Sequence, residues 1–514
     1  MVLTNNINYF DDEPCPESHA QLVGYAWLIN TYQLHQPAPR NISIIVPPQN
    51  TKKTNGRWLI WGSKYQPSNN WFAHLTFALK YEGVELATMK NLFTFLDSHE
   101  VAQAISERIT GAYSRRIWFF YEWLTTKKLP LKDASTGNYV DALDEKLQFG
   151  CTNEKSKRHR VNNNLPGVRG FCPLIKKTTK LTTLIAAQLN KKAAQNINDV
   201  PQDILMRAAA FLLLSDSKAS YIIEGESPAH NRLQSWGKII GQAGKQKLTI
   251  NEIERLQQIV IPDKRFIVKG IRCIHGFIGE HDRTTNIPIP EHISAKPEDL
   301  DQLLADYLSS YEKMKTAQFH PVLMATVIAF AFVFIHPLED GNGRIHRYLI
   351  HHVLADTNFT AKGLIFPVST VMANNVEQYK AVLEQFTKPR LKYIQWQPTT
   401  SHNVHVTNET IDLYSYGDYT TQAEYLFECV KETIDSVLPE EVLYLKRYDE
   451  IYHYINNRFD MPQKSLSLLL NILNEQKGHL SKRKKQSYFD ALTENEVKEI
   501  ESKYQEVFML SKKP

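Results

Sequence analysis

A long apolar stretch that runs into a short, glycine-containing turn constrains the fold of this chain most strongly. Residues 322–335, VLMATVIAFAFVFI, carry no charge and predict a buried helix. Residues 336–347 follow with the sequence HPLEDGNGRIHR, and a second helical pattern begins at its end. A Gly-Asn-Gly turn that opens a helix leaves backbone N–H groups free beside the positive end of the helix dipole. The sequence therefore predicts two helices joined by an anion-binding loop.

The side chains of this loop combine a base, a carboxylate and two cations. His336 carries an imidazole, the side chain in this loop whose ordinary pKa suits proton abstraction near neutral pH. Asp340 suits Mg²⁺, which usually takes one or two carboxylates together with phosphate oxygens. Arg344 and Arg347 are three residues apart, so a helix would bring both to one face to bind a polyphosphate. Together these groups indicate transfer of a phosphorus-centred group.

The loop resembles the signature of the Fic family, His-Pro-Phe-x-Asp-Gly-Asn-Gly-Arg-x-x-Arg. It matches at every chemically active position, and Leu338 replaces a phenylalanine that packs and does not react. The resemblance implies a protein adenylyltransferase that moves AMP from ATP, with Mg²⁺ on Asp340, to a Ser, Thr or Tyr hydroxyl of a target protein. His336 would be the general base. The residues implied to hold the phosphates are Gly341, Asn342, Gly343, Arg344 and Arg347.

A second pattern, upstream of the loop, resembles the inhibitory helix of the same family. The stretch SKASYIIEGE places Ser220, Glu224 and Gly225 at the positions of [Ser/Thr]-x-x-x-Glu-[Gly/Asn]. The resemblance implies an inhibitory helix over about 205–225 in which Glu224 binds the guanidinium of Arg347. A carboxylate there would take the place of the γ-phosphate and keep the resting enzyme slow.

The segment 265–290 interrupts the surrounding helical pattern. Its β-branched residues, its glycines and its final Pro-x-Pro predict a β-hairpin. It lies where the family has its flap, a hairpin that covers the nucleotide and docks an extended target segment on its strand edge. The resemblance implies four flap residues near the nucleotide and two contacts near the adenine. These are Gly276, Phe277, Ile278 and Gly279 in the flap, then Ser369 and Tyr379 after the signature.

The expected fold is mainly α, with a Fic-type helical core and a β-hairpin flap. Residues 171–400 are predicted to form this core. Residues 1–150 predict a small mixed region of unknown role, and residues 405–514 predict a further helical region. The basic segment 151–170 is interpreted as a linker or an ordered loop.

The region before residue 150 carries its own structural signals. The stretches 42–47 and 57–62 predict strands, and 105–125 predicts a helix rich in aromatic residues at helical spacing. These aromatic residues are interpreted as core in preference to a binding surface.

Composition and charge limit the class of protein. The chain is 42% hydrophobic and 22% charged, as in an ordinary soluble globular protein. A net charge of +5 over 514 residues is too small to indicate nucleic acid as the main partner, although basic clusters at 155–160 and 477–486 leave that reading open. The first residues lack the features of a signal peptide, and the apolar run is too short to span a bilayer. Five scattered cysteines suit a reducing cytoplasm, and a homo-oligomer remains open.

The sequence lacks the motifs of several other nucleotide and metal chemistries. There is no phosphate-binding P-loop, no kinase motif set and no HExxH zinc motif. His346, His351 and His352 lack the i,i+4 spacing of a helical zinc site and are interpreted as ordinary helix residues. A similar enzyme could use another nucleotide donor, or remove AMP with Glu224 orienting water. The remaining alternative is a regulatory or binding protein whose core modifies only itself.

Overall fold

The computed structural model describes most of the 514 residues. One residue of the predicted flap segment, Phe266, lies outside the described residues. In the predicted outer regions, residues 1–7, 48–51 and 511–514 also lie outside them. The described ranges are 8–47, 52–152, 154–261, 265, 267–360 and 365–510.

The N-terminal region combines short strands with helices, as the sequence predicts. Its elements are β1 (Tyr9–Phe10), β2 (Glu13–Pro14), β3 (Gln21–Val23), α1 (Gly24–Tyr32), β4 (Ile42–Ile45), β5 (Lys53–Asn55), β6 (Trp58–Trp61), a 3₁₀ turn (Ser63–Tyr65), α2 (Trp71–Tyr81), α3 (Leu86–Phe95), α4 (Ser98–Ser106), α5 (Ala112–Thr125), β7 (Val140–Asp141), β8 (Glu154–Ser156) and β9 (Val161–Asn163). One sheet has the strand order β3–β4–β6–β5, and a smaller sheet has the order β7–β9–β8. The two strands predicted at 42–47 and 57–62 are β4 and β6, which pair in parallel.

The aromatic helix belongs to the core of this region. It begins at Ala112, later than predicted, because α4 ends at Ser106 and a turn through Gly111 separates the two helices. Trp118, Phe119, Phe120 and Tyr121 are all buried in the N-terminal hydrophobic cluster. The interpretation of these aromatic residues as core is confirmed.

The basic segment 151–170, of which Asn153 lies outside the described residues, contains two strands, so its interpretation as a linker or an ordered loop is wrong. It contributes β8 and β9 to the three-stranded sheet. Two of its basic side chains contact a carboxylate on α5: Arg158 Nη2 lies 2.8 Å from Glu122 Oε1, and His159 Nε2 lies 3.0 Å from Glu122 Oε2. A partly buried carboxylate therefore holds a cluster that the charge pattern alone suggested would be solvated.

The central region is helical apart from two hairpins. Its elements are α6 (Thr179–Ala186), α7 (Leu189–Asn198), α8 (Gln202–Ile223), α9 (His230–Ile240), α10 (Ile250–Val260), β10 (Phe277–His281), β11 (Pro288–Ile293), a 3₁₀ turn (Pro297–Asp299), α11 (Leu300–Thr316), α12 (Pro321–Ile335), α13 (Asn342–Asp356), α14 (Val368–Asn374), α15 (Val376–Leu391), β12 (Trp396–Pro398), β13 (Val404–Val406), α16 (Ile411–Ser415) and α17 (Thr420–Glu432). Every residue of α12 from Val322 to Ile335 is buried, and the helix packs against α13. The prediction of two helices joined by a tight loop is confirmed.

The C-terminal region is also helical. Its elements are a π-helical turn (Thr433–Val437), α18 (Leu438–Arg458), α19 (Gln463–Glu475), α20 (Lys482–Tyr488), α21 (Glu494–Gln505) and a second π-helical turn (Glu506–Leu510). The central core continues past residue 400, because α17 and the first half of α18 bury side chains as far as Leu445 in it. A separate cluster forms from Ile451 onward. The fold is mainly α, and none of the helices described is long and apolar enough to cross a membrane.

Candidate active site

The candidate base lies at the junction of α12 and the signature loop. His336 ends α12 in a left-handed conformation with φ 55°. Its Nδ1 lies 3.1 Å from the carbonyl oxygen of Val333, which can only accept, so Nδ1 carries the proton and Nε2 keeps a free lone pair. Burial, reinforced by the cation of Arg272, lowers the pKa of His336 to about 4. The imidazole is therefore neutral at physiological pH and able to accept a proton.

Arg272 joins the flap to the signature loop. The guanidinium is buried, and its Nε donates to the carbonyl oxygen of His336 at 2.7 Å. Nη1 donates to the carbonyl oxygen of Ile274 at 2.7 Å, and Nη2 donates to that of Ala295. One side chain thus holds the chain just before β10, the chain just after β11 and the candidate base in a fixed arrangement.

The β10–β11 hairpin lies beside the base and runs from residue 277 to residue 293, later than the predicted 265–290, and its role as a flap stays a prediction. Ile278 on β10 pairs with His292 on β11, whose ring centroid is 6.1 Å from that of His336. The register shifts between Ile278 and Gly279. A Cβ on Gly279 would lie 2.2 Å from the carbonyl oxygen of Ile289, so the bulge requires glycine there. The predicted contacts of Gly276, Phe277, Ile278 and Gly279 with a nucleotide stay predictions.

A second hairpin, β12–β13, supports the flap. His281 Nε2 donates to the carbonyl oxygen of His402 at 2.7 Å, and Asn403 Nδ2 donates to that of His275 at 2.7 Å. Both bonds connect the loop of the second hairpin with the flap: one with the end of β10 and one with the segment just before β10. The flap is therefore braced on two sides, by Arg272 and by this hairpin.

The turn into α13 forms a cradle at residues 341–343, where anion binding stays a prediction. Gly341 precedes the helix with φ 91°, a conformation that favours glycine. The amide of Asn342 accepts from the N–H of Leu338 at 3.1 Å and donates to its carbonyl oxygen at 2.8 Å. Gln257 on α10 donates to the carbonyl oxygen of Asp340 at 3.2 Å. The side chain of Asn342 thus closes the loop, and its contact with an α-phosphate stays a prediction.

Glu224 occupies this cradle. A Cβ on Gly343 would lie 2.2 Å from Glu224 Oε1, so glycine leaves the space that lets the carboxylate approach the first turn of α13. The same oxygen lies 2.7 Å from Arg347 Nη2. Arg347 also donates from Nε to the hydroxyl of Ser220 at 2.9 Å and from Nη2 to its carbonyl oxygen at 2.7 Å. The contact expected from the inhibitory pattern is present in the structure.

The charge of Glu224 fits this position. Burial raises the pKa of Glu224, but the cations of Arg347 and Arg344 lower this pKa by a larger amount. The net shift of the pKa is therefore downward. The carboxylate is therefore ionised at neutral pH. It presents negative charge to the first turn of α13 and to the guanidinium of Arg347.

Arg344 has a carboxylate partner that the sequence patterns do not mark. Its side chain is only 2% exposed, and Nη1 lies 2.7 Å from Oε1 of Glu226, two residues after Glu224. Nη2 lies 3.3 Å from Asp340 Oδ1. Both signature arginines are thus paired with acids from the segment that follows α8.

Asp340 is suited to a divalent cation that phosphates would share. Its side chain is 45% exposed, and its Oδ1 accepts from the N–H of Gly341 at 2.5 Å. Throughout the described ranges, no group of three or more His, Cys, Asp or Glu side chains is placed to hold a metal ion. A single carboxylate at the mouth of an anion cradle matches the way Mg²⁺ binds nucleotides, where phosphates and water supply the other ligands.

The two predicted adenine contacts are both buried and engaged with other protein groups. Ser369 donates to Asp216 from its backbone N at 2.7 Å and from its hydroxyl at 2.9 Å. Tyr379 contacts Arg347 through its hydroxyl, and burial raises the pKa of this tyrosine to about 12. A role for either residue toward adenine stays a prediction.

Asp216 links α8 to the helices around the site. It is fully buried on α8, where His351 Nε2 lies 2.8 Å from its Oδ2 and the N–H of Thr370 donates to its Oδ1 at 3.2 Å. Ser369 supplies two further donors. No motif marks this residue, because its partners on α13 and α14 are far away in the sequence.

We expect Asp216→Ala to destabilise the fold by about 3–5 kcal/mol, because it leaves buried donors without their anionic acceptor. The free energy of unfolding in urea measures the effect. Asp203→Ala, an exposed change in the first turn of the same helix, is the control and should cost about 1 kcal/mol or less. Equal losses in the two variants would refute the role of Asp216 as an anchor of α8.

Comparison with known proteins identifies the family. The model of the Fic/DOC family matches residues 247–354, a range that contains the flap and the signature loop. A Fido domain-containing protein of Dictyostelium discoideum is 31% identical over 116 residues, which are 22% of this chain and 74% of that protein. The chain belongs to the Fic/DOC family.

Other relatives match over smaller parts of their length. The protein adenylyltransferase Fic of Nematostella vectensis is 30% identical over 77 residues, or 15% of this chain, and the match spans only 18% of that protein. Among solved structures, a Fic family protein from Desulfovibrio desulfuricans G20 superimposes with a TM-score of 0.36 at 16% identity. That alignment covers 52% of this chain and 76% of the other.

Proposed function

We propose that this chain is a protein adenylyltransferase that Glu224 holds in a slow resting state. The observation that carries the proposal is the placement of a neutral His336 beside an anion cradle with Arg344 and Arg347. A relative from Nematostella vectensis that is similar in this region carries the name protein adenylyltransferase. A nucleotide polyphosphate is the ligand whose charge and shape fit these groups best.

In the proposed reaction, His336 acts on a hydroxyl of the target protein. Nε2 takes the proton as the hydroxyl oxygen forms a bond to the α-phosphorus of ATP. The bond from that phosphorus to the oxygen of the β-phosphate breaks, and pyrophosphate leaves with the electron pair. Positioning by the cradle and electrostatic stabilisation of the phosphates supply most of the rate, as in phosphoryl transfer generally.

Mg²⁺ would be held by Asp340 and by phosphate oxygens of the substrate. When bound, it would offset negative charge on the phosphates and fix their orientation. Asp340 lies at the exposed side of the cradle, four residues before Arg344, so the metal and the guanidinium would approach the polyphosphate together.

We expect Asp340→Ala to lower Mg²⁺-dependent turnover by about tenfold to a hundredfold, because a metal contributes several kcal/mol to charge stabilisation. Binding of adenosine should change much less, because this carboxylate serves the phosphate end. Turnover titrated with MgCl₂ and a separate adenosine titration measure both effects. Asp490→Ala, an exposed change in the C-terminal region, is the control. An unaltered Mg²⁺ requirement in the Asp340 variant would count against this assignment.

The proposed target is an extended protein segment that docks on the flap. Three isoleucine side chains leave an apolar strip on this hairpin: Ile278, Ile287 and Ile289 are 42%, 45% and 53% exposed. Apolar side chains in a row on an accessible hairpin favour an extended partner that pairs through its main chain. Because Ile278 pairs with His292, next to His336, such a segment would bring its hydroxyl toward the base.

Removal of AMP is a second candidate activity, favoured by the position of Glu224. A carboxylate over the first turn of α13 could orient a water molecule toward a phosphorus bound there. Release of AMP from a modified target by the unaltered chain, lost in Glu224→Gln, would support removal. Release that does not depend on Glu224 would exclude that role.

The direct test of the proposed function is a search for modified proteins. Lysate proteins are incubated with the Glu224→Gly variant, Mg²⁺ and ATP, and mass spectrometry then looks for the mass of AMP on Ser, Thr or Tyr. Parallel reactions with CTP, GTP and UTP identify the donor. The proposal expects AMP adducts that the Glu224→Gly/His336→Ala variant does not produce. Adducts of a different nucleotide, or equal adducts in both variants, would reject it.

A further inference from the structure

A third arginine lies next to the signature pair, through the same acidic side chain. Oε1 of Glu226 lies 2.7 Å from Arg344 Nη1, and Oε2 lies 3.5 Å from Arg232 Nη2 on α9. Both guanidiniums lie over the ring of Tyr221, each 5.2 Å from its centroid. A carboxylate between two guanidiniums that both contact one aromatic ring marks a place suited to an anion.

These arginines retain donors that have no acceptor. Within the part of the chain that the structure describes, the buried Nε atoms of Arg344 and Arg232 make no hydrogen bond. Arg344 is 2% exposed, so the cost of leaving its donor unpaired is not relieved by bulk water. A group with more acceptor oxygens than a carboxylate would satisfy more of these donors. A phosphate is such a group.

The position of Arg232 places this anion site at the nucleotide cradle. Arg232 Nη2 donates to the carbonyl oxygen of Val260 at 3.2 Å. The side chain of Val260 in turn lies beside Gly341, where a Cβ would be 3.7 Å from it. The site therefore adjoins the loop that opens α13.

We propose that Arg232 and Arg344 together bind the terminal phosphate of the nucleotide, and that Glu226 occupies this place in the resting state. The inference rests on the proposed function, since it assigns the phosphate end of the same nucleotide. It adds a binding residue from α9 and a second blocking carboxylate to the pair formed by Glu224 and Arg347.

The two blocking carboxylates belong to one short segment of the chain. Glu224 and Glu226 flank Gly225, whose φ of 72° turns the chain sharply at the end of α8. Their partners Arg347 and Arg344 are both on α13. A movement of this short segment would release both arginines together, and the site would then distinguish a triphosphate from a diphosphate by the extra charge.

The first test measures dissociation constants of ATP and ADP by titration calorimetry, in the Glu224→Gly background. Arg232→Ala is expected to weaken ATP about tenfold, the value of one charge-assisted hydrogen bond, and ADP less than about twofold. Arg458→Ala, an exposed arginine paired with Glu499, is the control and should change neither. Unchanged ATP binding in the Arg232 variant, or equal weakening of both nucleotides, would overturn the inference.

A second variant keeps the test decisive if Arg232→Ala does not fold. Glu226→Gln removes the blocking charge at constant size and should tighten ATP about tenfold, with a smaller effect on ADP. Adding Arg232→Lys, which keeps the charge but loses the fork of donors, should cancel most of that gain. No gain in Glu226→Gln would overturn the inference.

The two proposals fail in different ways. Nucleotide binding that depends on Arg232 without any transfer of AMP would reject the proposed function alone. Transfer of AMP with ATP affinity independent of Arg232 and Glu226 would reject the inference alone.

Discussion

A His336→Ala variant is expected to lose about 10²–10⁴-fold of its transfer rate, the usual contribution of a general base, while it still binds ATP. The ring is neutral because burial lowers its pKa to about 4, and the carbonyl of Val333 orients it so that Nε2 is free. The groups assigned to the phosphates are in the signature loop, on α13 and on α9, so they remain when the imidazole is removed. Initial rates and ATP titrations in the Glu224→Gly background measure the two effects separately.

His453→Ala is the matched control for this variant. His453 is exposed on α18, far along the chain from the signature loop, and its loss should leave both the rate and ATP binding unchanged. A transfer rate near normal in His336→Ala would show that another group takes the proton. Loss of ATP binding in His336→Ala would show that the imidazole supports the cradle instead.

We expect Glu224→Gly to raise the transfer rate about a hundredfold, which corresponds to about 3 kcal/mol held by the inhibitory contact. The variant removes the carboxylate from Gly343 and from Arg347 Nη2, 2.7 Å away. The guanidinium then becomes available to the phosphates, which places the α-phosphorus in line with the incoming hydroxyl. Arg347→Ala should remain slow although it also breaks the contact, because the phosphate contact is lost with it.

The double variant and a surface control decide this prediction. Glu224→Gly/Arg347→Ala should be about as slow as Arg347→Ala alone. Glu475→Gly changes an exposed glutamate at the last residue of α19 and should not alter the rate. Equal rates in the unaltered chain and Glu224→Gly would mean that Glu224 only caps the end of α8.

The sequence predicts the fold of the signature loop well because that fold depends on residues adjacent in the chain. Helix, glycine turn and second helix follow from apolar spacing and from the Gly-Asn-Gly turn between residues 341 and 343. The hairpin at the flap is likewise marked by local composition. The contact between Glu224 and Arg347 spans 123 residues, and only the resemblance to an inhibitory pattern predicts it.

Features that depend on tertiary packing could not be predicted in this way. Arg232 and Glu226 look like ordinary surface charges in the sequence, and only the folded chain brings them to Arg344. Asp216 looks equally ordinary, yet it is fully buried and links α8 to α13 and α14. Long-range pairing has no local signature, because the residues that satisfy a buried charge can lie anywhere in the chain.

The same limit applies to how segments of the chain pack together. The segment 151–170 is polar and basic, as in a loop, but Glu122 on α5 contacts Arg158 and His159, and two of its stretches form strands. The central core extends past residue 400 to Leu445, because the apolar faces of α17 and α18 pack on it. Amphipathic helices show which face is buried but do not show against which domain.

The most direct measurement compares ATP labelled with ³²P at the α-position and at the γ-position. Each is incubated with Mg²⁺, a lysate of candidate targets and the Glu224→Gly variant, and the protein-bound label is counted after denaturing electrophoresis. Transfer of AMP predicts label on protein from α-labelled ATP only, and none when His336→Ala is added to the variant. Label from γ-labelled ATP, or α-label that persists without His336, would contradict the assignment of this site to adenylyl transfer.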